Sequence, residues 1–306
     1  WLKIYKNSIL MTSQKLRFAI FGNVFQPKKS ASIRRLLSCL ASYGDEVSMD
    51  RAFYDFLRKS CNNDNLGVAR VFDGNDFDAD FVISMGGDGT LLKAAARVGA
   101  KQIPIVGVNM GRLGFLADVT PVDIEACIKD LHNGDFNVED RGALQVETVG
   151  GKLNGPRYAL NDVAILKRDD ASMIAIHATI NGETLTTYQA DGLVVCTPTG
   201  STAYSLSNGG PIIVPGTHVF AVTAVASHSL NTRPIVIGDD SVLEFRVESR
   251  SHNFLIAVDG HSEKCVEGVV IRVKKAPHTV RIVKHLGNNY FETLREKMMW
   301  GADGRE

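Results

Sequence analysis

The chain has 306 residues, with 34 Lys+Arg balanced by 34 Asp+Glu and 44% hydrophobic residues. That length supports one large or two medium domains with buried cores. The charge balance argues against a nucleic-acid scaffold held by phosphate neutralisation, and no apolar run approaches the ~18 residues of a membrane span. Five scattered cysteines, Cys39, Cys61, Cys127, Cys196 and Cys265, form no CxxC pair. They suggest neither a disulfide framework nor a zinc site, and the expected compartment is the cytoplasm, without a membrane or nucleic-acid partner.

Residues 1–10, WLKIYKNSIL, are too polar and short for a signal-peptide core and read as an upstream extension. KLRFAIFGN (15–23) predicts a short strand closed by Gly22-Asn23. SASIRRLLSCLASYGDEV (30–47) carries apolar residues at helical spacing and ends at Gly44, a C-cap signal. MDRAFYDFL, GVARVF and DFVISMGGDGTLLKAAARVG continue the alternation, and PIVGVNMGRLGFLAD (104–118) predicts a further buried strand. Strands alternating with helices imply a parallel sheet covered on both faces. The N-terminal region is therefore expected to be a Rossmann-like, doubly wound α/β domain.

TPVDIEACIKDLHNG predicts a helix joining two halves. From about residue 140 the sequence becomes a series of short β-like runs separated by turns. Within it INGETL signals a hairpin, because Asn181-Gly182 suits a type I′ turn. One short helix is expected after residue 200. The ending, YFETLREKMMWG (290–301), returns to helical spacing and fits the first domain better than the second. The expected division is 13–120 plus 287–306 for the α/β domain and 121–286 for an all-β, sandwich-like domain.

SMGGDGT (84–90) leaves a strand and opens a helix, the place where open α/β sheets bind ligands. Glycines let the backbone approach a ligand, and the N–H groups of a helix start favour phosphate. Gly86, Gly87, Asp88, Gly89 and Thr90 form a candidate ATP-phosphate loop that is neither a P-loop nor G-x-G-x-x-G. A carboxylate there repels phosphate, so Asp88 needs another task. It can hold a metal ion, bind a ribose hydroxyl, or take a proton from an attacking hydroxyl. The plain alternative is a helix cap beside a tight turn. A second loop, DGLVVCTPTGSTAYSLSNGGP (191–211), crowds hydroxyls and glycines beside Tyr204, which suits phosphate, ribose and base contacts.

GGDGT (86–90), LNDVAI (160–165), ADGLVVCTPTGSTAYSLSNGGP (190–211), HSLNTRPIVI (228–237) and FETLREKMMWG together resemble the bacterial NAD kinases. The similarity spans residue 15 to about 301. It implies transfer of the ATP γ-phosphoryl group to the 2′-hydroxyl of the adenosine ribose of NAD, with Mg²⁺ or Mn²⁺ accompanying ATP, and a cytoplasmic homodimer or homotetramer. By this resemblance Asp88 accepts the hydroxyl proton and Gly89 lies beside the same NAD. Lys93 matches a helix position near the ligand, and Asn161 and Asp162 match an Asn-acid pair that grips the dinucleotide. Glutamate is usual where Asp162 stands. Asp191 matches the acid that meets the nicotinamide end. Thr202, Ala203, Tyr204, Ser205, Leu206 and Ser207 match the adenine and ribose segment, while Ala226 and His261 match positions beside the ligand. Plain structural roles for these residues are a solvated Lys93, polar turns at Asn161-Asp162 and Asp191, and a solvated His261. The competing functional readings are a diacylglycerol-kinase-like lipid kinase, which also carries GGDGT, and a catalytically silent NAD(P)-binding sensor.

Overall fold

The computed structural model describes residues 15–23, 30–61, 66–111, 114–168, 172–285 and 289–299. The proposed extension at 1–10 and the motif residues Trp300 and Gly301 lie outside them. The chain divides into two compact units. One ends at Asp140 and resumes at Arg281, and the other runs Arg141–Val280.

The first unit is built from β1 (Arg17–Gly22), α1 (Ser30–Tyr43), β2 (Glu46–Asp50), α2 (Arg51–Cys61), β3 (Arg70–Phe72), β4 (Phe81–Gly86), α3 (Asp88–Val98), β5 (Ile105–Asn109), α4 (Ile124–Asn133) and β6 (Phe136–Arg141). After the second unit, with its strands β7 to β18, β19 (Val280–His285) and α6 (Tyr290–Met298) close the chain. The seven-stranded sheet has the order β3-β2-β1-β4-β5-β19-β6. The β1-β2, β2-β3, β1-β4, β4-β5 and β5-β19 pairs are parallel. Strand order reverses between β1 and β4, so the sheet's topological switch point lies at their carboxyl ends. Every residue of β4 and β5 is buried, as a parallel sheet covered on both faces requires.

The helices bury the predicted stripes. In α1 these are Ile33, Leu36 and Leu40, and the helix stops where Gly44 takes φ +73° and donates to Ala41 O. In α4 they are Ile124, Cys127, Ile128 and Leu131, which join the same core as α1's Ile33 and Leu40. The boundary at Asp140 therefore differs from the expected 120/121. Helix α4 packs into the first core instead of linking two halves, and β6 belongs to the first sheet. The C-terminal helix also falls in the first unit, because Tyr290 meets Phe115 at 6.4 Å between ring centroids.

The second unit contains β7 (Leu144–Val149), β8 (Tyr158–Ala159), β9 (Asp162–Lys167), β10 (Ile174–Ile180), β11 (Glu183–Ala190), β12 (Gly192–Cys196), the short helix α5 (Tyr204–Ser207), β13 (Val219–Val225), β14 (Ile235–Gly238), β15 (Leu243–Glu248), β16 (Asn253–Val258), β17 (His261–Val266) and β18 (Val270–Lys275). They form two six-stranded sheets, β11-β10-β15-β18-β7-β8 and β14-β13-β12-β9-β16-β17. The predicted hairpin joins β10 to β11 with Asn181 at φ +52° and Gly182 at φ +84°, as a type I′ turn demands. Alternate residues of both sheets, among them Val163, Ile176, Val195, Phe220, Phe245, Phe254 and Ile271, enclose one core. This is a β-sandwich. The other face of the second sheet carries small residues, Ala164, Cys196, Ala221 and Ala257, packed with Ile213. Small side chains there let the segment after β12 lie down on the sheet.

One buried ion pair ties the first unit's last strand to the loop after β5. Lys284 Nζ stands 3.0 Å from Asp118 Oδ2 and donates to Leu116 O at 3.2 Å, and both side chains are largely covered. Breaking such a pair by removing one member is costly. Lys284→Met is expected to destabilise the first unit by about 3 kcal/mol in denaturant unfolding. The double variant with Asp118→Leu should recover most of that loss.

Candidate active site

In the first unit the GGDGT loop leaves β4 at the switch point. The three glycines differ in what they do. A Cβ on Gly86 would stand 2.1 Å from Thr90 Oγ1, so this glycine serves close packing of the loop on its own helix. Nothing lies within 4 Å of a Cβ built on Gly87 or Gly89. Gly87 is the N-cap of α3, with no side-chain cap on the helix start. The two open glycines and the helix start suit an approaching anion.

Asp88 is not the helix cap. Its carboxylate turns to the loop after β5, where Oδ2 accepts the N–H of Phe115 at 2.8 Å. Oδ1 accepts those of Leu116 and Ala117 at 3.1 and 3.2 Å. Gly114 makes this possible, because a Cβ there would stand 2.0 Å from Asp88 Oδ1. Gly107 allows the same loop to press on β5, with a Cβ only 2.7 Å from Ala117 Cα. The amide of Met110 donates to Gly86 O at 2.9 Å, and buried Asn109 accepts from Gly111 N at 2.9 Å, fixing the two loop roots together. From α6, Lys297 Nζ lies 3.7 Å from Asp88 Oδ2 and 4.3 Å from the centroid of the Phe115 ring. Neither Lys297 nor the Gly114 loop was singled out from sequence. Lys93 stands exposed on α3, and Thr90 is buried.

In the second unit Asn161 immediately precedes β9, which Asp162 begins. Asp162 is buried at 7% exposure. Burial first, then the neighbouring Asp259 carboxylate, pushes its pKa up to about 7, against the N–H of Tyr204, which donates to it. The shorter side chain thus already serves α5's first residue. Asn161 Oδ1 is buried without a hydrogen-bond partner among the described residues. A buried unsatisfied oxygen costs about 1–3 kcal/mol, which a bound donor would offset. The Asn161 backbone is held from one side by Thr197, whose N–H donates to Asn161 O at 2.9 Å and whose Oγ1 donates to Leu160 O at 2.6 Å. Gly200 lies against it so closely that a Cβ would stand 2.0 Å from Asn161 O.

In the hydroxyl-rich segment several hydroxyls close the turn internally. Ser201 Oγ donates to Pro198 O and accepts from Ile213 N, and the buried Ser205 Oγ lies 3.1 Å from Thr223 Oγ1. Thr202 Oγ1 donates to Thr199 O at 3.3 Å. Thr202, Ala203 and Leu206 are half-buried, and Tyr204 and Ser207 face solvent. Asp191 pairs with Lys167 at 2.9 Å. Ala226 is exposed at φ +46°, a backbone region that disfavours a Cβ and often marks functional sites. Exposed His261 follows the Asp259-Gly260 turn and would collide with a Cβ on Gly155.

Comparison with known proteins identifies the family. The family model for the ATP-NAD kinase N-terminal domain matches residues 40–136, and that for the C-terminal domain matches residues 160–285. The chain is 54% identical over 290 residues to the NAD kinase of Bacteroides fragilis, covering 95% of this chain and 100% of the relative. It is 44% identical over 286 residues to the NAD kinase of Porphyromonas gingivalis, covering 94% and 98%. Among solved structures, yeast NADH kinase complexed with NADH superposes with a TM-score of 0.85 at 21% identity, over 94% of this chain and 89% of the other. An Archaeoglobus fulgidus NAD kinase in complex with ATP gives 0.71 at 24%, over 92% and 98%. The structural matches establish the fold, and the sequence matches over nearly the whole chain establish that it belongs to the NAD kinase family.

Proposed function

We propose that this kinase transfers the γ-phosphoryl group of ATP to the 2′-hydroxyl of the adenosine ribose of NAD, with Asp88 receiving the hydroxyl proton. The observation that carries the reading is the placement of Asp88. It is a carboxylate fixed by three main-chain N–H groups in an uncapped, glycine-lined helix start at the switch point. Phosphoryl transfer needs positioning and charge stabilisation more than covalent help. Gly87, Gly89 and the start of α3 offer the phosphates room and N–H groups. Oδ2 accepts one N–H and retains a lone pair for a hydroxyl.

The second unit supplies the dinucleotide's grip. Asn161 offers a buried acceptor, Asp162 an acceptor for ribose hydroxyls, and Tyr204 an exposed ring for the base. Asp191, Ala226 and His261 are the further contacts that the family resemblance assigns, and Lys93 stands on an exposed face from which it can reach a phosphate. Among the described residues no three metal-ligating side chains converge. Mg²⁺ or Mn²⁺ enters this reading as the counter-ion of ATP, held chiefly by phosphate oxygens. A homodimer or homotetramer follows from the resemblance. Leu230, 89% exposed, and Val236 on edge strand β14 are apolar side chains that a second copy would cover. No helix among the described residues is long and apolar enough to cross a membrane, Cys39, Cys127, Cys196 and Cys265 are free thiols, and the cytoplasm is the compartment that the resemblance implies. Membership of the NAD kinase family leaves the lipid-kinase alternative without support.

The test is NADP formation from NAD, ATP and Mg²⁺, read through an NADP-specific dehydrogenase. Asp88→Asn is expected to lower kcat about a hundredfold or more while NAD binding is kept. A folded parent that binds NAD and makes no NADP would replace this reading with the silent sensor.

The buried carboxylate gives the second unit a pH signature. Asp162 titrates near 7 when folded, above the ordinary 3.8, so the folded protein holds that proton more tightly than the unfolded chain. Stability from this group is complete below about pH 4 and is lost as pH rises through about 7. Thermal unfolding followed between pH 5 and 8 should show a falling midpoint, and Asp162→Asn should flatten that fall.

A further inference from the structure

We infer that Asp259 is a positioning residue for dinucleotide binding, acting through the Leu160-Asn161-Asp162 segment. This rests on the reading that the chain binds and phosphorylates NAD. Asp259 lies in the turn between β16 and β17, at φ +46°, followed by Gly260 at φ +81°. Its carboxylate gathers three consecutive main-chain donors. Oδ2 accepts the N–H of Leu160 at 2.7 Å, and Oδ1 accepts those of Asn161 at 2.8 Å and Asp162 at 3.1 Å. Its own N–H donates to Asp162 O at 3.0 Å. The segment is thereby clamped between this carboxylate and the Thr197-Gly200 turn on the other side.

The clamp governs two groups. One is Asn161 Oδ1, buried and unpartnered among the described residues, whose usefulness to a ligand depends on where the backbone holds it. The other is the Asp162 carboxylate. Around it stand Asp259 from the β16-β17 turn, the N–H of Tyr204 from α5, and Cys196, its register partner on β12. Burial pushes the Cys196 thiol up to about 11. Asp259 is thus the nearby charge that opposes ionisation of Asp162. Losing the Asp259 charge removes that contribution and leaves the larger one from burial.

Steady-state kinetics of the full chain test this. Asparagine suits a positive φ but turns an NH₂ group toward main-chain donors. Asp259→Asn is expected to raise KM for NAD tenfold or more, with kcat within about threefold and KM for ATP unchanged. The acid limb of kcat/KM for NAD should also move to lower pH. A merely structural role would leave that limb in place, lower kcat and raise both KM values together, and a KM for NAD within twofold of the parent would equally overturn the inference. If Asp259→Asn does not fold, Asp259→Glu, which keeps the charge but displaces the carboxylate by one methylene, carries the same test. It should raise KM for NAD while leaving the acid limb where the parent has it, and a parent-like KM would overturn the inference. Calorimetric binding of NAD to parent and variant separates this inference from the kinase reading. A parent that binds NAD without turnover sinks the reading alone. Equal NAD affinity in the two proteins sinks the inference alone.

Discussion

Asp88 commits its carboxylate to three main-chain N–H groups, those of Phe115, Leu116 and Ala117, and the loops after β4 and β5 take their shape from that commitment. Two loops leave neighbouring parallel strands, and neither is regular enough to satisfy its own backbone donors. A carboxylate accepts several such donors at once and, unlike a backbone carbonyl, it can be placed by a side chain. The same device recurs in the second unit, where Asp259 gathers Leu160, Asn161 and Asp162 and where Asp162 takes the N–H of Tyr204. Each acid ties down main-chain N–H groups at a loop or strand end.

That device explains the glycine pattern better than ligand access alone. Gly86, Gly114 and Gly200 each stand where a Cβ would lie within 2.1 Å of Thr90 Oγ1, Asp88 Oδ1 or Asn161 O. They are small so that a loop can close on its partner. Gly87 and Gly89, with nothing within 4 Å of a Cβ, are the ones whose smallness faces outward. Glycines of both kinds sit in one motif, five residues long, so composition cannot separate them.

Much of the architecture was legible because it follows periodicity. The stripe Ile33, Leu36, Leu40, the Asn181-Gly182 hairpin and the α/β alternation each write a local physical requirement directly into residue order. The domain boundary was not legible in the same way. An amphipathic α4 reads equally well as a linker or as a core helix, and only its burial beside α1 decides. The family resemblance rested on runs long enough to be specific. It named Asp88, Asn161 and Asp162, but residue type alone could not say which of their atoms were already engaged within the fold.

Asp259 shows why. In sequence it is the first residue of an Asp-Gly turn, an ordinary hairpin signal, and attention falls on His261 beyond it. Its partners lie about a hundred residues away, and they are backbone N–H groups, which every non-proline residue carries and no sequence pattern marks. Lys297, meeting Asp88 from a helix more than two hundred residues later, is hidden for the same reason. Side chains that act on ligands tend to sit in recognisable motifs, whereas those that hold the motifs in place are recruited from wherever the fold brings a strand end or turn alongside. For the same reason, replacing the usual glutamate by Asp162 cannot be judged from side-chain length alone. Its reach is set by the N–H of Tyr204, by the Asp259 carboxylate and by the turn that presents it.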